Sequence, residues 1–153
     1  MTPRFSDLVV PATPRRTIIL DIDGTLVADG EIELSPDTIA ALGALAGAHD
    51  VYLCSNNVDP ERSRAIAETS GLPLLMSRYR KPDARVISDL KVRHPILVIG
   101  DKYLTDEVFA RRLKADFIRV ERIVSHEDAL LTRLTYVFDD AVFALAKAMN
   151  RFV

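Results

Sequence analysis

The sequence predicts an α/β fold in which a parallel sheet is covered by helices on both faces. Short apolar runs alternate along the chain with segments of helical periodicity, and this alternation is typical of parallel sheets. Several of the apolar runs are followed at once by acidic, amide or hydroxyl side chains. The carboxyl ends of parallel strands meet at one edge of the sheet, where ligands bind in such folds. The pattern therefore predicts the architecture and also the edge at which a functional site lies.

The first part of the chain contains a strand, a helix and a second strand. Thr17–Ile22 is an apolar run that predicts the first strand. Ser35 followed by Pro36 is an N-cap with proline at the first helical position, and it predicts a helix over Asp37–Ala48. The next apolar run, Val51–Ser55, predicts the second strand.

A second capping signal begins the next helix. Asp59 and Pro60 repeat the cap-then-proline pattern, and Gly71 is a C-terminal stop shortly after Thr69. The elements predicted after this helix are, in order, the strand Leu72–Met76, the helix Asp83–Lys91, the strand Pro95–Ile99, the helix Leu104–Lys114 and the strand Asp116–Val120. The predicted sheet therefore has five parallel strands in one domain that spans residues 1–153, with its core at about 17–121.

The last part of the chain, about 125–150, is predicted to be a helical extension of one or two helices. Ser125 with Asp128 resembles a capping box at its start. An apolar stripe at three- and four-residue spacing runs along it, formed by Leu130, Leu134, Phe138, Val142, Leu145 and Met149. Tyr136 and Phe143 lie off this stripe. Such a stripe is typical of a face that packs on the core; a homodimer contact and a contact with a membrane surface are the alternatives.

Composition excludes several classes of protein. Lys and Arg number 20 against 22 Asp and Glu, which argues against a dedicated nucleic-acid binder because these carry a strong basic excess. The single cysteine, Cys54, excludes an intramolecular disulfide framework and fits a reducing compartment. The sequence has no apolar stretch that would span a bilayer, and its first residues do not predict a signal peptide. We therefore expect a cytoplasmic protein, with peripheral membrane contact as an open alternative.

The first strand ends in the segment Asp21-Ile22-Asp23-Gly24-Thr25. Two carboxylates at the end of a buried strand must pair with a cation, shift their pKa or bind a metal. At this spacing, one carboxylate can attack as a nucleophile while the other transfers a proton. Gly24 allows a tight turn, and Thr25 supplies a supporting hydrogen bond. The alternative is a turn in which the aspartates only cap backbone amides.

Polar residues after the second and third predicted strands supply groups that bind anions. Ser55, followed by Asn56, offers a hydroxyl and backbone N–H groups near the start of a helix, where a phosphate can bind. Lys81 precedes a proline that restricts its backbone, and its ammonium can neutralise phosphoryl charge. Arg78 and Arg80 are alternatives for the same role, and all three side chains are equally typical of a solvated surface.

Acidic residues after the fourth predicted strand complete the set. Asp101 directly follows Gly100, and Asp106 comes soon after it. Oxygen ligands from Asp21 and Asp101 would suit Mg²⁺, which prefers a few carboxylates and retains waters. Asp106 is expected to support the metal site or to be an outer ligand, and the alternative is that it caps a helix.

These motifs, in this order, resemble the four motifs of the haloacid dehalogenase-like (HAD) phosphatase superfamily. The resemblance covers residues 17–121 and rests on Asp-Ile-Asp-Gly-Thr, Ser55, Lys81-Pro82 and Gly-Asp-x-x-x-Thr-Asp. Within the superfamily the chain is most similar to the YqeG-like branch, which includes phosphatidylglycerophosphate phosphatases. It differs from that branch at Gly24, where Asn is usual, and at Lys102, where Gln is usual.

The resemblance implies a Rossmann-like, three-layer α/β/α phosphatase that depends on Mg²⁺. Asp21 would be the nucleophile that forms an aspartyl-phosphate, and Asp23 the general acid and then the base. Ser55, Asn56 and Lys81 would bind the phosphoryl group. At the metal site, the ligands would be Asp21, the Asp23 carbonyl and Asp101. Thr25 and Asp106 would support them.

The expected substrate is a phosphomonoester of a large molecule or of a phospholipid headgroup. The spacings between the motifs leave no room for a cap domain at either common insertion site, so the site is expected to be open. Phosphatidylglycerophosphate is the substrate suggested by the resembling branch. The alternatives are a phosphatase or phosphotransferase for sugar or nucleotide monophosphates, and a phosphate-binding scaffold without catalytic activity.

Overall fold

The protein has an α/β fold built on a four-stranded, all-parallel sheet. The computed structural model describes residues 2–125 and 130–149. The strands are β1 (Thr17–Asp21), β2 (Asp50–Cys54), β3 (Ile96–Gly100) and β4 (Asp116–Arg119), in the spatial order β2-β1-β3-β4. The helices are α1 (Pro36–Ala48), α2 (Pro60–Ser70), α3 (Val108–Leu113) and α4 (Leu130–Met149).

Helices cover both faces of the sheet, as the alternation predicts. β1 is central, and all five of its residues are buried. Ile18 and Leu20 of β1 belong to a core cluster with residues of α1 and α2, such as Leu42 and Ile66. Ile19 points to the opposite face and belongs to a second cluster that contains Phe109 of α3. Side chains alternate between the two faces of a strand, so β1 contributes to both cores.

The first two helices begin as their capping signals predict. The Ser35 hydroxyl accepts a hydrogen bond from the Thr38 amide at 3.1 Å at the start of α1. The Asp59 carboxylate accepts from the amides of Glu61 and Arg62 at 3.0 and 3.1 Å at the start of α2. Gly71 ends α2 in the left-handed conformation, with a φ of 68°.

The prediction of a third strand at Leu72–Met76 is wrong, so the sheet has four strands and not five. This segment forms only one isolated bridge, between Leu74 and Leu53 of β2. Its hydrogen bonds to β2 are those from the Leu53 amide to the Pro73 carbonyl (2.9 Å) and from the Leu75 amide to the Leu53 carbonyl (2.8 Å). Pro73 has no N–H to donate, and the chain leaves the sheet edge at Met76, which is 58% exposed.

The predicted helix Asp83–Lys91 is only a 3₁₀ turn over Ala84–Ile87. The Asp83 side chain accepts from the amide of Arg85 and caps the start of this turn, as Asp59 does for α2. The predicted helix Leu104–Lys114 is divided into a π-helical turn over 103–107 and the short α3. The cause of that division lies in α4.

The prediction that the apolar stripe of the last helix faces the core is wrong. Five of its six members, Leu130, Leu134, Phe138, Leu145 and Met149, are between 56% and 74% exposed. The buried residues of α4 are Tyr136 and Asp139, and the expected capping partner Asp128 and the end of the predicted helix at Asn150 lie outside the described residues.

A polar anchor explains which face of α4 is turned inward. The Asp139 carboxylate accepts hydrogen bonds from the amides of Tyr103 and Leu104, both at 2.8 Å. These amides belong to the π-helical turn, so the anchor binds α4 to that turn and sets the turn's backbone. Asp139 also accepts a hydrogen bond from the guanidinium of Arg122 at 3.3 Å.

Within the described ranges, no helix combines the length and apolar character that would be required to cross a membrane.

Candidate functional site

The carboxyl ends of the strands bring the predicted site residues together at one edge of the sheet. Asp21 is the last residue of β1 and is paired in register with Cys54, so Ser55 follows directly on the neighbouring strand. Asp101 follows β3, which lies on the other side of β1. An open cavity of about 170 Å³ lies at this edge, lined by Asp21, Asp23, Asp29, Asn56, Asn57, Lys81, Lys102 and Thr105.

The turn after β1 depends on glycine. Gly24 has a φ of +85°, and a Cβ at this position would lie 2.7 Å from Oδ2 of Asp101. Its amide donates to the Val27 carbonyl at 2.8 Å and closes the turn. The Thr25 hydroxyl lies 3.2 Å from Oδ2 of Asp21 and 3.4 Å from Oδ1 of Asp101. This hydroxyl has one proton to donate, so it supports one of the two carboxylates at a time.

A buried ammonium joins two of the carboxylates. Nζ of Lys81 donates to Oδ1 of Asp21 and, at 2.6 Å, to Oδ1 of Asp106. All three side chains are almost completely buried. Burial and, to a smaller extent, the neighbouring Asp106 raise the pKa of Asp21 to about 6, although Lys81 and Lys102 act to lower it. Burial lowers the pKa of Lys81, but Asp106 and Asp21 together raise it well above its ordinary value. Lys81 is therefore a fixed positive charge beside Asp21.

Asn56 holds the backbone of Lys81 in place. Its side-chain amide donates to the Lys81 carbonyl at 2.7 Å, and its side-chain oxygen accepts from the Lys81 amide at 2.8 Å. This two-point contact fixes the loop that carries the ammonium. The Asn56 carboxamide is thus engaged with protein, while the residue lines the cavity.

Asp23 is held by a serine and a buried arginine. Its Oδ2 accepts from the Ser55 hydroxyl at 2.7 Å. Its Oδ1 pairs with the guanidinium of Arg62, whose side chain is 6% exposed. Arg62 in turn donates to the backbone carbonyl of Glu31 at 2.9 Å. The carboxylate of Asp23 is therefore turned toward α2 and away from Asp101.

Three carboxylates could hold a metal ion. Oxygen atoms of Asp21, Asp101 and Asp106 lie within 4.8 Å of one another, and all three residues are buried. The amide of Lys102 donates to Oδ2 of Asp106 at 3.1 Å, and a Cβ on Gly100 would lie 2.5 Å from the Asp106 carboxyl carbon. The small residue before Asp101 thus leaves the space that Asp106 occupies. Asp106, which was expected to support the site, lies as close to the position that a metal ion would occupy as Asp21 and Asp101 do.

Lysine and arginine side chains neutralise the carboxylates in the structure. Nζ of Lys102 donates to the backbone carbonyl of Asp23 at 3.1 Å and lies 3.9 Å from Oδ1 of Asp101. Burial lowers the pKa of Lys102, but Asp21 and Asp101 raise it overall. The guanidinium of Arg122 pairs with Oδ2 of Asp101, and burial raises the pKa of Asp101. Lys102 therefore touches the same backbone carbonyl that the resemblance assigns to a metal.

All eight of the residues predicted from the sequence lie in this region. They are Asp21, Asp23, Thr25, Ser55, Asn56, Lys81, Asp101 and Asp106.

Sequence reasoning missed three cations. Lys102 had a signal, because it follows a predicted ligand directly. Arg62 had a weaker one, since it lies in the first turn of a helix that begins at the site edge. Arg122 had none, because its role depends on how the chain returns after β4.

Arg78 and Arg80, the alternatives to Lys81, are exposed. Of the three basic side chains considered for the phosphoryl group, the one at the centre of the site is that of Lys81.

A comparison of the sequence with models of known protein families found no match, and a comparison with curated proteins found none either.

Proposed function

We propose that this protein is a Mg²⁺-dependent phosphomonoester hydrolase that acts through an aspartyl-phosphate on Asp21. The observation that carries the proposal is the contact between the Asp21 carboxylate and the buried ammonium of Lys81, beside two further carboxylates at an open cavity. A carboxylate that is fixed next to a cation and lines an open cavity suits attack on a phosphorus atom. The sequence motifs imply a cap-less Rossmann-like fold, and folds of this kind bind ligands at this edge of the sheet.

The first step transfers the phosphoryl group to the protein. An oxygen of Asp21 attacks phosphorus, the new O–P bond forms, and the bond to the substrate oxygen breaks. Asp23, in its protonated form, gives its proton to the leaving oxygen. Lys81 and the Ser55 hydroxyl stabilise the negative charge of the phosphoryl oxygens.

The second step returns the enzyme to its starting state. The Asp23 carboxylate takes a proton from water, the water oxygen attacks phosphorus, and the bond between phosphorus and Asp21 breaks. Inorganic phosphate then leaves. The contacts of Asp23 with Ser55 and Arg62 support this role, because they hold its carboxylate in one orientation beside the cavity.

The carboxylates present fit a Mg²⁺ ion. Carboxylate oxygens are the hard ligands that Mg²⁺ prefers, and those of Asp21, Asp101 and Asp106 lie close together. Asp21, the Asp23 carbonyl and Asp101 would hold the ion, with Asp106 in support. When bound, Mg²⁺ supplies positive charge that offsets repulsion between the nucleophile and the phosphoryl group.

The openness of the site supports a large substrate. No described segment covers the cavity, which lies at the surface beside Asn57 and Thr105. A phosphate on a phospholipid headgroup such as phosphatidylglycerophosphate would reach Asp21 without a lid having to open. A cytoplasmic location, with contact at a membrane surface, would bring the protein to such a substrate.

Phosphate release tests the proposal. The wild type and Asp21→Asn would be assayed with an aryl phosphate and with phosphatidylglycerophosphate, each in Mg²⁺ and in EDTA. Asp89→Asn is a matched control, because Asp89 is an exposed aspartate away from the cavity. We expect Mg²⁺-dependent release from the wild type and the control, and none from Asp21→Asn.

Trapping of the intermediate identifies the nucleophile. Treatment with hydroxylamine during turnover should convert an acyl phosphate on Asp21 to a hydroxamate, which mass spectrometry of the peptides locates. Turnover by Asp21→Asn at the wild-type rate would refute the assignment. Binding of phosphate without turnover of a broad panel of phosphate esters would favour a scaffold, and preference for sugar or nucleotide monophosphates would replace the lipid substrate.

A further inference from the structure

Helix α4 has two faces of different character. The inner face contains Tyr136 and Asp139, which are buried, and Asp139 anchors the helix to the π-helical turn. The outer face carries large apolar side chains that are more than half exposed. They are Leu130, Leu131, Leu134, Val137, Phe138, Leu145 and Met149, with exposed fractions between 56% and 74%.

The outer face has the spacing of a helix–helix interface. Its central line, which we call the outer seam, consists of Leu131, Leu134, Phe138, Ala141, Leu145 and Ala148. These residues alternate at intervals of three and four, as the a and d positions of a coiled coil do, and every one of them is exposed. The seam runs the length of the helix, and no described residue of the chain covers it.

The sides of the outer seam carry no charge. Leu130, Val137 and Ala144 lie along one side, and Thr135, Val142 and Met149 lie along the other. Helices that lie on anionic membranes instead combine an apolar face with lysines and arginines on an exposed polar face. In α4, Asp139 is buried, and the exposed charges Arg133, Asp140 and Lys147 are of mixed sign and lie away from the seam. The neutral flanks therefore favour another apolar helix over a lipid surface.

The side chains of the seam are complementary in size to those of the same seam in the reverse direction. If a second α4 lies antiparallel with its middle over the middle of the first, Phe138 faces Ala141, Leu134 faces Leu145, and Leu131 faces Ala148. Two of these pairs join a large side chain to a small one, which fills the interface evenly. A parallel pair would instead place Phe138 on Phe138 and Ala141 on Ala141, with crowded and empty layers.

We infer that the outer seam of α4 binds the same surface of a second copy of this chain in an antiparallel, two-fold symmetric dimer. A two-fold interface uses one patch on both partners, as this seam requires.

The exposed area is of the size that a dimer needs. The seven large side chains offer roughly 700 Å² per chain if each contributes about 100 Å². Stable interfaces take about 800 Å² from each partner.

Sedimentation velocity over a wide range of protein concentration tests the inference. We expect the wild type to sediment as a dimer and the double variant Leu134→Glu with Phe138→Glu to sediment as a monomer. Both side chains are exposed in the single chain, so the variant should keep the wild-type circular dichroism spectrum. Ala141→Glu, at the middle of the seam, is a second disruptive variant in case the double variant does not fold.

Two control variants should remain dimeric. Leu134→Met with Phe138→Leu keeps the seam apolar. Lys147→Glu changes the charge at an exposed position of α4 that lies outside the seam. A wild type that is monomeric at every concentration overturns the inference, and so does a double glutamate variant that is folded and still dimeric. The seam would be assigned to lipid instead if a monomeric wild type binds phosphatidylglycerol–phosphatidylcholine vesicles and the double glutamate variant does not.

Disulfide cross-linking tests the direction of the pair. In the antiparallel arrangement, oxidation should link Leu134→Cys to Leu145→Cys when the two variants are mixed. Neither should link to itself, because the equivalent positions would lie about 16 Å apart along the helices, beyond the reach of a disulfide. The native Cys54 is buried, so wild-type protein is the background control. Efficient linking of Leu134→Cys to itself would refute the antiparallel arrangement.

Discussion

Replacing Lys102 by glutamine should tighten the binding of Mg²⁺ about tenfold. The ammonium of Lys102 donates to the Asp23 carbonyl at 3.1 Å and lies 3.9 Å from Asp101. A metal ion that uses these oxygens must move the ammonium away, because both cations need the same space. Glutamine keeps a polar side chain of similar length but lacks the charge, so the competition disappears.

The magnitude follows from the distance and the exposure of the side chain. Two unit charges at 3.9 Å interact by about 4 kcal/mol at an effective dielectric constant of 20. The Lys102 side chain is 25% exposed and can turn toward water, which recovers most of that energy when the metal binds. A net cost of about 1.4 kcal/mol corresponds to a factor of ten in the dissociation constant.

Isothermal titration calorimetry with MgCl₂, in the absence of substrate, measures this dissociation constant directly. Lys102→Arg keeps the charge and should bind Mg²⁺ about as the wild type does. Lys91→Gln removes a charge from an exposed lysine away from the site and should also resemble the wild type. An Mg²⁺ affinity in Lys102→Gln that is equal to or weaker than that of the wild type would refute the competition.

Three other changes test the carboxylate cluster and its supports. Gly24→Ala should lower the free energy of unfolding by about 2 kcal/mol, because a side chain at positive φ is strained and its Cβ would lie 2.7 Å from Asp101; chemical denaturation measures this, and a change within experimental error would contradict it. In EDTA, the wild type should lose about 3 kcal/mol of stability between pH 4 and pH 7, because the folded state raises the pKa of Asp21 from 3.8 to about 6 and therefore holds its proton more tightly than the unfolded chain does. Denaturation at several pH values should show a flatter profile for Asp21→Asn, and an equal slope in both proteins would refute this origin. Asn56→Ala should cost about 2 kcal/mol through its two lost bonds to Lys81 and lower turnover; unchanged stability and turnover would show that Lys81 needs no such support.

The parts of the fold that follow from the sequence are those with strong local signals. α1 and α2 begin and end where capping residues and Gly71 predict. The third predicted strand failed because apolar character alone does not provide hydrogen-bond partners, and Pro73 cannot donate at a sheet edge. The predicted orientation of α4 failed for a different reason: the face that carries the buried Asp139 and Tyr136 turns inward in place of the apolar stripe, and Asp139 binds the amides of Tyr103 and Leu104 there.

The candidate site was predictable because its residues follow strands that pair with one another. Asp21, Ser55 and Asp101 meet at one edge as a consequence of parallel topology. The cations that neutralise them were harder to find, since Arg62 and Arg122 reach the site from elements whose placement depends on tertiary packing. The carboxylates of the site are therefore easier to predict from the sequence than the cations that pair with them.

The anchor at Asp139 changes where the cooperative folding unit ends. The sequence motifs end by about residue 121, so by the motifs alone α4 is an appendage that could be removed. Yet removing it would leave the amides of Tyr103 and Leu104 without their acceptor, at about 1–3 kcal/mol for each group that stays buried. Arg122, which holds Asp101, would lose its contact with Asp139 as well. The stability of the site therefore depends on α4 as well as on the segment that carries the motifs.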